Sequence, residues 1–350
     1  DAFCGKISVC NNLYQRNIPF SLTRLHTCPI ESPQFEDDLR WFKGVCAVVN
    51  GLKGARIAML GARPIAFNTV RYSEKLLQKH GISVQTIDFS EIIFKAMHYN
   101  DAEKVVAKIK EIREYGSVPA WISDEVMEKQ AKLCLVIDEA IEDLQCDAST
   151  VQCWDSVENN YGCATCLAMS MMGDNGKPSA CESDVTGALS MLAAWLAAGT
   201  APALMDWNNN IREERNACVS LHCSNFPKSF FLNDVEIECL DVLGSTLGKE
   251  NCFGACKGHV AAGDMTFIRL TTDDQRGTVK AYLGEGVFRD EVIPTKGGVA
   301  NCYIENLQNL LRYVCENGYE HHVCFVRGHV ADILEEALTK YMGIPVYRHR

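Results

Sequence analysis

Two acidic residues of this 350-residue chain come at a spacing that could bring them to one place. A helix of about 13 residues starting shortly after Glu182 would advance ~20 Å at ~1.5 Å per residue. A strand covering 201–206 would return a similar ~20 Å, which brings Asp206 back toward Glu182. Two carboxylates held together repel each other unless a cation or a shared proton lies between them. The spacing fits a metal site, and it equally fits a helix capped by Ser183 or Asp184 and a strand that simply ends in an aspartate.

A histidine pair lies in the segment Glu320-His-His-Val-Cys-Phe-Val326, which has the composition of a strand. Alternation along a strand sends His321 and His322 to opposite faces, so at most one of them is expected to face a given metal. Two carboxylates and one imidazole, with open coordination positions, suit Mn²⁺ and leave room for substrate oxygens. The alternative is a hydrogen-bonded surface histidine at a strand end. Composition alone adds three more candidates, His222, His259 and His329.

The eighteen cysteines are a further source of chemistry. Cys163-Ala-Thr-Cys166 has the spacing of half a zinc or redox site, but the chain contains no second CxxC, and residues 161–170 have the pattern of a buried helix. The more widely spaced pairs are Cys218 with Cys223 and Cys252 with Cys256. Most cysteines stand inside apolar runs, where a reduced thiol acts as a small core side chain. This usage predicts a reducing, cytoplasmic location rather than a disulfide framework.

The elements that must position these residues begin with a βαβ unit. Apolar strand patterns at 55–61 and 82–87 enclose a helical stretch at 72–80, which indicates a parallel sheet. Further helices are predicted at 102–115 and from Ser123 toward residue 144. The loop after the first strand reads Gly-Ala-Arg-Pro, which lacks the glycine spacing of a dinucleotide site.

The second half of the chain has a different pattern. Alternating segments at 265–271 and 278–283 flank a turn-like sequence and predict an antiparallel hairpin, and the chain ends in a strand, a helix and a strand. The 21 uncharged residues 185–205 approach the length of a membrane span, but their Thr, Ser, Gly and Pro residues favour a buried helix followed by a buried strand.

Charge and composition exclude some classes of protein. The formal net charge of −11 argues against nucleic-acid binding, which needs a basic surface. The 47% hydrophobic content excludes intrinsic disorder. The chain begins at Asp1 with no signal-peptide pattern, so we expect a processed chain or a fragment.

Four segments together resemble the L-fucose isomerase and L-arabinose isomerase superfamily. They are Gln152-Cys-Trp154, Cys181-Glu-Ser-Asp184, Ala203-Leu-Met-Asp206 and His321-His-Val-Cys-Phe325. Fucose isomerases place a metal-binding Glu 24 positions before a metal-binding Asp, and here 206 − 182 is also 24. In the arabinose branch, the second member of a histidine pair binds the metal, which corresponds to His322.

The resemblance implies an enzyme that interconverts an aldose and a ketose through a cis-enediol. It implies Mn²⁺, or another divalent cation, held by Glu182, Asp206 and His322, with the two carboxylates as candidate acid and base in either order. It also implies substrate contacts, which fall at Gln152, His222, Cys223 and His321. The substrate would be a free sugar of the L-fucose, D-arabinose or L-arabinose type.

The fold implied is α/β, with a Rossmann-like parallel-sheet domain followed by an α+β domain that contains an antiparallel barrel. We expect a remnant of an N-terminal α/β domain at 1–45, the Rossmann-like domain at 46–198 and the C-terminal domain at 199–350. The family implies a homo-oligomer, a trimer or hexamer, in the cytoplasm, with no nucleic-acid or membrane partner. The alternatives are a non-catalytic sugar-binding or regulatory protein on the same scaffold, and a cysteine-ligated metal or redox protein.

Overall fold

The computed structural model describes residues 2–350, which form a parallel sheet with its helices, followed by an antiparallel barrel. The first part comprises α1 (Ala2–Gln15), α2 (Pro33–Leu52), β1 (Arg56–Leu60), α3 (Glu74–Lys79), β2 (Ser83–Ile87), α4 (Phe89–Met97), α5 (Ala102–Tyr115), α6 (Asp124–Asp143), β3 (Ala148–Val151), α7 (Ser156–Asn160), α8 (Cys166–Asp174), β4 (Ser179–Cys181) and α9 (Val185–Ala198).

The second part contains β5 (Ala203–Ile211), β6 (Glu214–His222), β7 (Glu236–Cys239), α10 (Asp241–Leu247), β8 (Phe253–His259), β9 (Gly263–Asp273), β10 (Thr278–Arg289), β11 (Gly298–Tyr303), α11 (Leu307–Glu316), β12 (His322–Arg327), α12 (Ala331–Glu336) and β13 (Val346–Arg348). Short 3₁₀ turns lie at Asn68–Val70, Lys228–Phe230 and Glu250–Cys252, and a π-helical turn at Ala337–Tyr341 continues α12.

The four-stranded sheet has the order β2-β1-β3-β4, and all its pairs are parallel. The central strand β1 is buried on both faces, because Ala58 and Leu60 face a core built with α4 and α6, while Ile57 faces the core that contains α9. The predicted βαβ unit and parallel sheet are confirmed.

The barrel closes through six antiparallel strands, which follow one another as β9, β10, β11, β6, β5 and β12. Strands β8 and β7 extend the sheet beyond β11, and β13 pairs with β10. The predicted antiparallel hairpin is the β9–β10 pair, and the α/β fold with a barrel portion is confirmed.

The uncharged stretch 185–205 is α9 followed by the start of β5, as predicted. Helix α9 packs between the parallel sheet and the barrel, with Leu189 and Leu192 in the same core as Ile268 and Cys324. Among residues 2–350, no helix combines the length and apolar composition needed to cross a bilayer. The helix predicted over 161–170 was placed too early, since α8 begins only at Cys166, after Gly162 takes a positive φ of 89°.

Candidate active site

Asp206 and His322 come together through strand register. In the antiparallel pair of β5 and β12, Asp206 lies directly opposite His322. Side chains directly opposite each other on neighbouring strands share one face, and here Asp206 Oδ1 lies 3.5 Å from His322 Nε2. The helix outward and the strand back are present as expected, and they place Asp206 beside His322, which Glu182 also contacts.

Glu182 reaches the same place from the carboxyl end of β4. It and Ser183 both have positive φ, 64° and 55°, which turns the chain sharply between the strand and α9. Glu182 Oε2 lies 3.1 Å from His322 Nε2, and Trp154 Nε1 donates a 2.8 Å hydrogen bond to Glu182 Oε1. Trp154, three residues after the end of β3, also has a positive φ, of 69°. The site therefore lies at the carboxyl ends of β3 and β4, the usual binding edge of a parallel sheet.

His322 is oriented from its other nitrogen. Its Nδ1 donates a 2.7 Å hydrogen bond to Asp184 Oδ2, so Nε2 faces Glu182 and Asp206. Asp184 also accepts a hydrogen bond from the Gly187 amide as the N-cap of α9. A side chain at Gly187 would collide with that carboxylate, which explains the glycine in the first turn of the helix.

A fully buried arginine balances this carboxylate. Arg269, on β9, pairs with Asp184 at 2.6 Å and with Glu320 at 3.1 Å, and it is 0% exposed. Burial raises the pKa of Asp184, but Arg269 and His322 outweigh it and hold the pKa well below its usual range. Asp184 is therefore ionised and able to accept the proton on His322 Nδ1.

The remaining charges favour a cation at the centre. Burial lowers the pKa of His322, but its contacts with Asp184 and Glu182 outweigh burial and raise it to about 9. Burial raises the pKa of Glu182, but the close contact with His322 and the charge of His222 outweigh burial, so the net shift is downward. These directions describe a negatively charged pocket that stabilises added positive charge.

Three buried atoms in this pocket have no hydrogen-bond partner among the described residues: Glu182 Oε2, Asp206 Oδ1 and His322 Nε2. Leaving buried polar atoms unpartnered is costly, and here both carboxylate oxygens lie beside the same imidazole nitrogen, at 3.1 Å for Glu182 and 3.5 Å for Asp206. Two carboxylate oxygens and one imidazole nitrogen are donors that suit Mn²⁺ and related divalent cations, so the residues present fit a metal. Asp206, His222 and His322 also offer ligand atoms that lie within 4.8 Å of one another.

His321 departs from the alternation expected of a strand. Its Nε2 lies 3.6 Å from Asp206 Oδ1, and with Glu182 and His322 it offers ligand atoms within 4.8 Å of one another. The expectation that only one histidine of the pair faces the site was wrong, because β12 begins at His322 and His321 belongs to the bend before it. His321 is 40% exposed, so it lies on the solvent side of the pocket.

The other sequence-predicted residues divide into two groups. His222 lies with its ring 5.5 Å from that of His322, and Cys223 Sγ lies 3.6 Å from His222 Nδ1. The pKa of Cys223 is lowered, first by a hydrogen bond from Cys181 and then by His222. Gln152 contacts the loop after β1 instead, because its side-chain oxygen accepts a hydrogen bond from the Ala62 amide.

The composition-only candidates lie outside this pocket. His259 lines a separate cavity of about 240 Å³, and His329 lies 3.8 Å from Asp264 beyond the end of β12. Sequence reasoning did not assign roles to Trp154, Arg269 or Glu320. Their positions could have indicated two of them, because Trp154 belongs to the segment that carries the resemblance and Glu320 precedes the histidine pair. No sequence pattern around Arg269 indicates that it lies near the site.

A loop from the parallel sheet covers one side of the site. Phe67, after β1, packs with its ring tilted against those of Trp154 and His321, at centroid distances of 5.6 Å and 6.3 Å. Beyond this loop, a cavity of about 950 Å³ reaches Ser183 and Glu320. The two arginines of the loop, Arg63 and Arg71, also line this cavity.

The sequence of the chain is similar to those of known sugar isomerases. Residues 220–350 match the family model of the L-fucose isomerase C-terminal domain, and residues 1–53 match that of the fucose/sulfoquinovose isomerase N-terminal domain. The chain is 27% identical over 341 residues to sulfoquinovose isomerases of Priestia aryabhattai and Priestia megaterium, covering 96% of this chain and 73% of each relative. A sulfoquinovose isomerase of Alkalicoccus urumqiensis is 24% identical over 307 residues, which cover 86% of this chain and 66% of that protein.

Both domain matches, these relatives and the order of the acidic and histidine residues agree. The chain belongs to the fucose isomerase-like superfamily, whose enzymes interconvert aldoses and ketoses.

Proposed function

We propose that this protein is a divalent-metal-dependent aldose–ketose isomerase that acts on a free monosaccharide through a cis-enediol. The observation that carries the proposal is that Glu182 Oε2 and Asp206 Oδ1 lie 3.1 Å and 3.5 Å from His322 Nε2, and that these three buried atoms have no hydrogen-bond partner among the described residues. These three residues would hold the cation, with Mn²⁺ as the first choice because the donors are mainly oxygen. When bound, such a cation stabilises negative charge on adjacent sugar oxygens.

The chain's own residues would move the proton between C1 and C2. Glu182 is ionised, and Trp154 fixes one of its oxygens, so it is a suitably oriented proton acceptor. Asp206 shares the pocket but lies nearer the solvent side with His321, which makes it the second candidate for acid–base work. Asp184 does not face the reacting atoms, and its role is to position His322.

The substrate we propose to test first is sulfoquinovose, the sugar named in the similar proteins. A sulfonated sugar needs a cationic contact, and the cavity beside Ser183 offers one. Among the described residues, Arg63 and Arg71 pair with no carboxylate, although both line that cavity. The uncharged aldoses L-fucose, L-arabinose and D-arabinose complete the panel.

The test is an isomerase assay on this panel with metal-stripped protein and added Mn²⁺, together with metal analysis of the purified protein. We expect ketose formation from at least one aldose only when the metal is present. Glu182→Gln should abolish turnover and the exchange of the C2 proton with solvent deuterium, while the far-UV circular dichroism spectrum stays unchanged. Cys315→Ser, on the exposed surface, is the matched control and should behave as the unaltered protein.

Two results would overturn the proposal. One is near-normal isomerisation by Glu182→Gln in the presence of metal. The other is the absence of turnover on every sugar while a sugar still raises the melting temperature, which would favour the non-catalytic sugar-binding protein.

A further inference from the structure

Beside the proposed metal pocket lies a second group of ligand atoms with different chemistry. Cys181, Cys223 and His222, together with Glu182, each offer one ligand atom, and these atoms all lie within 4.8 Å of one another. Three of the four residues are buried, and only Cys223 is partly exposed. The two thiols come from opposite parts of the fold, one at the end of β4 and the other just after β6.

The spacing of these atoms suits a tetrahedral cation. With zinc–sulfur bonds of ~2.3 Å and zinc–nitrogen bonds of ~2.0 Å, neighbouring ligands of a tetrahedral site lie roughly 3.3–3.8 Å apart. The 3.6 Å between Cys223 Sγ and His222 Nδ1 already falls within that span. Glu182 Oε2 adds a buried oxygen that has no hydrogen-bond partner among the described residues. Cys153 Sγ, 2.9 Å from Cys181 Sγ, brings another sulfur to the same place.

We propose that Cys181, Cys223, His222 and Glu182 form a second, thiophilic metal site that takes a soft or borderline divalent cation such as Zn²⁺ or Cd²⁺. Thiolate and imidazole ligands select such cations, whereas carboxylate-rich sets suit Mn²⁺. The partly exposed Cys223 gives the cation its entry point. Both sulfurs bind the cation as thiolates, so the proton of the Cys181 thiol passes to solvent on binding, and no oxidation takes place.

Glu182 belongs to both donor sets, and this sharing has a consequence for catalysis that rests on the proposed function. A cation held by the two thiols takes Glu182 away from Asp206 and His322. Occupation of the thiophilic site should therefore inhibit the isomerase, and added Mn²⁺ should oppose the inhibition because both cations compete for one carboxylate.

The binding test uses metal-stripped full-length protein titrated with Cd²⁺, with the sulfur-to-cadmium charge-transfer absorbance as the readout. We expect a band that saturates at one equivalent in the unaltered protein. Cys223→Ser and Cys181→Ser should each weaken Cd²⁺ binding by about 10- to 100-fold or more, since even outer partners of a metal site have effects of that size. The double variant Cys4→Ser/Cys315→Ser removes the two exposed cysteines and should keep the saturating band.

Mn²⁺ affinity, measured on the same variants, shows whether each variant is folded, because Cys223→Ser leaves Asp206, His322 and Glu182 in place. A thiolate band absent from the unaltered protein, or unchanged in both Cys181→Ser and Cys223→Ser, would overturn the thiophilic site. A band that behaves as expected in a protein without isomerase activity would support this site and overturn the proposed function, so the two failures are distinguishable.

Discussion

Asp184 holds His322 by a 2.7 Å hydrogen bond to Nδ1 and thereby turns Nε2 toward Glu182 and Asp206. The same carboxylate caps α9 and pairs with Arg269, so one side chain connects the start of α9 to the barrel strands β9 and β12. Carboxylates in this position fix the tautomer of a metal-binding histidine and raise its basicity.

Asp184→Asn should therefore weaken metal binding without removing a ligand. We expect the dissociation constant for Mn²⁺ to rise by about 10- to 100-fold, the usual effect of losing such a partner. Isothermal titration calorimetry on metal-stripped protein measures it. The control is Thr186→Val, which removes the 2.9 Å hydrogen bond that Arg269 donates to Thr186 and the 3.3 Å bond from Thr186 to Asp184 Oδ1, but leaves Asp184 Oδ2 against His322 Nδ1. If both variants bind Mn²⁺ as tightly as the unaltered protein, Asp184 does not position the ligand.

Metal uptake should release a proton and depend on pH. In the metal-free protein, the pKa of His322 is raised to about 9, so a cation must displace its proton at neutral pH. The apparent affinity for Mn²⁺ should rise with pH and level off above pH 9. Titrations in buffers of different ionisation enthalpy count the released proton. A constant affinity between neutral pH and pH 9 would contradict this assignment.

The raised pKa of His322 also makes the stability of the metal-free protein depend on pH. Because the folded pKa lies above the ordinary value of 6.5, protonated His322 stabilises the fold fully below pH 6.5, and this contribution is lost as pH rises through about 9. Melting temperatures of metal-free protein across this window should fall less for His322→Gln than for the unaltered chain. Equal slopes would show that another group dominates.

How far the sequence predicted this site depends on the residue. The approach of Asp206 to Glu182 follows from the lengths of a helix and a strand. The exact pairing of Asp206 with His322 depends on the register of β5 and β12, which are separated by more than a hundred residues. Segment lengths do not determine that register, because it is set by packing around the whole barrel.

Other features were hidden because local patterns have two interpretations. The sequence allows either a capping role or chemistry for Asp184, yet the structure gives this residue a cap, an ion pair and a histidine contact at once. Arg269 alternates within β9 like a solvent-facing residue, but closure of the barrel and α9 bury it completely. Burial of a charge is decided by long-range contacts, so a single strand sequence does not reveal it.

Arg269→Met should destabilise the fold strongly. It leaves Asp184 and Glu320 as buried charges without their cation, which costs about 3–5 kcal/mol. Urea unfolding followed by circular dichroism measures the loss. Arg40→Met is the control, since this exposed arginine pairs with Glu36 on the surface of α2 and should change stability by about 1 kcal/mol or less.

A second substitution shows whether charge causes that loss. Arg269→Met/Glu320→Gln removes one of the two unpaired carboxylates and should recover part of the stability. If the double variant is no more stable than Arg269→Met, lost packing rather than unpaired charge explains the effect.

Replacing Arg63 should raise KM for a sulfonated sugar and leave KM for an uncharged sugar nearly unchanged. Arg63 lines the cavity that reaches Ser183. Among the described residues its guanidinium makes one hydrogen bond, to the Pro64 carbonyl at 3.1 Å, and no ion pair, so it is available to an anion. If the substrate carries a sulfonate, Arg63→Gln should raise KM for sulfoquinovose by about 10- to 100-fold, matching a lost charged hydrogen bond of ~1.5–3 kcal/mol. KM for an uncharged aldose and kcat for both should change little, because the arginine lies away from the proton-transfer residues. Arg40→Gln serves as the surface control. An equal rise in KM for charged and uncharged sugars would show that the loop acts by shape and would remove Arg63 as the sulfonate contact.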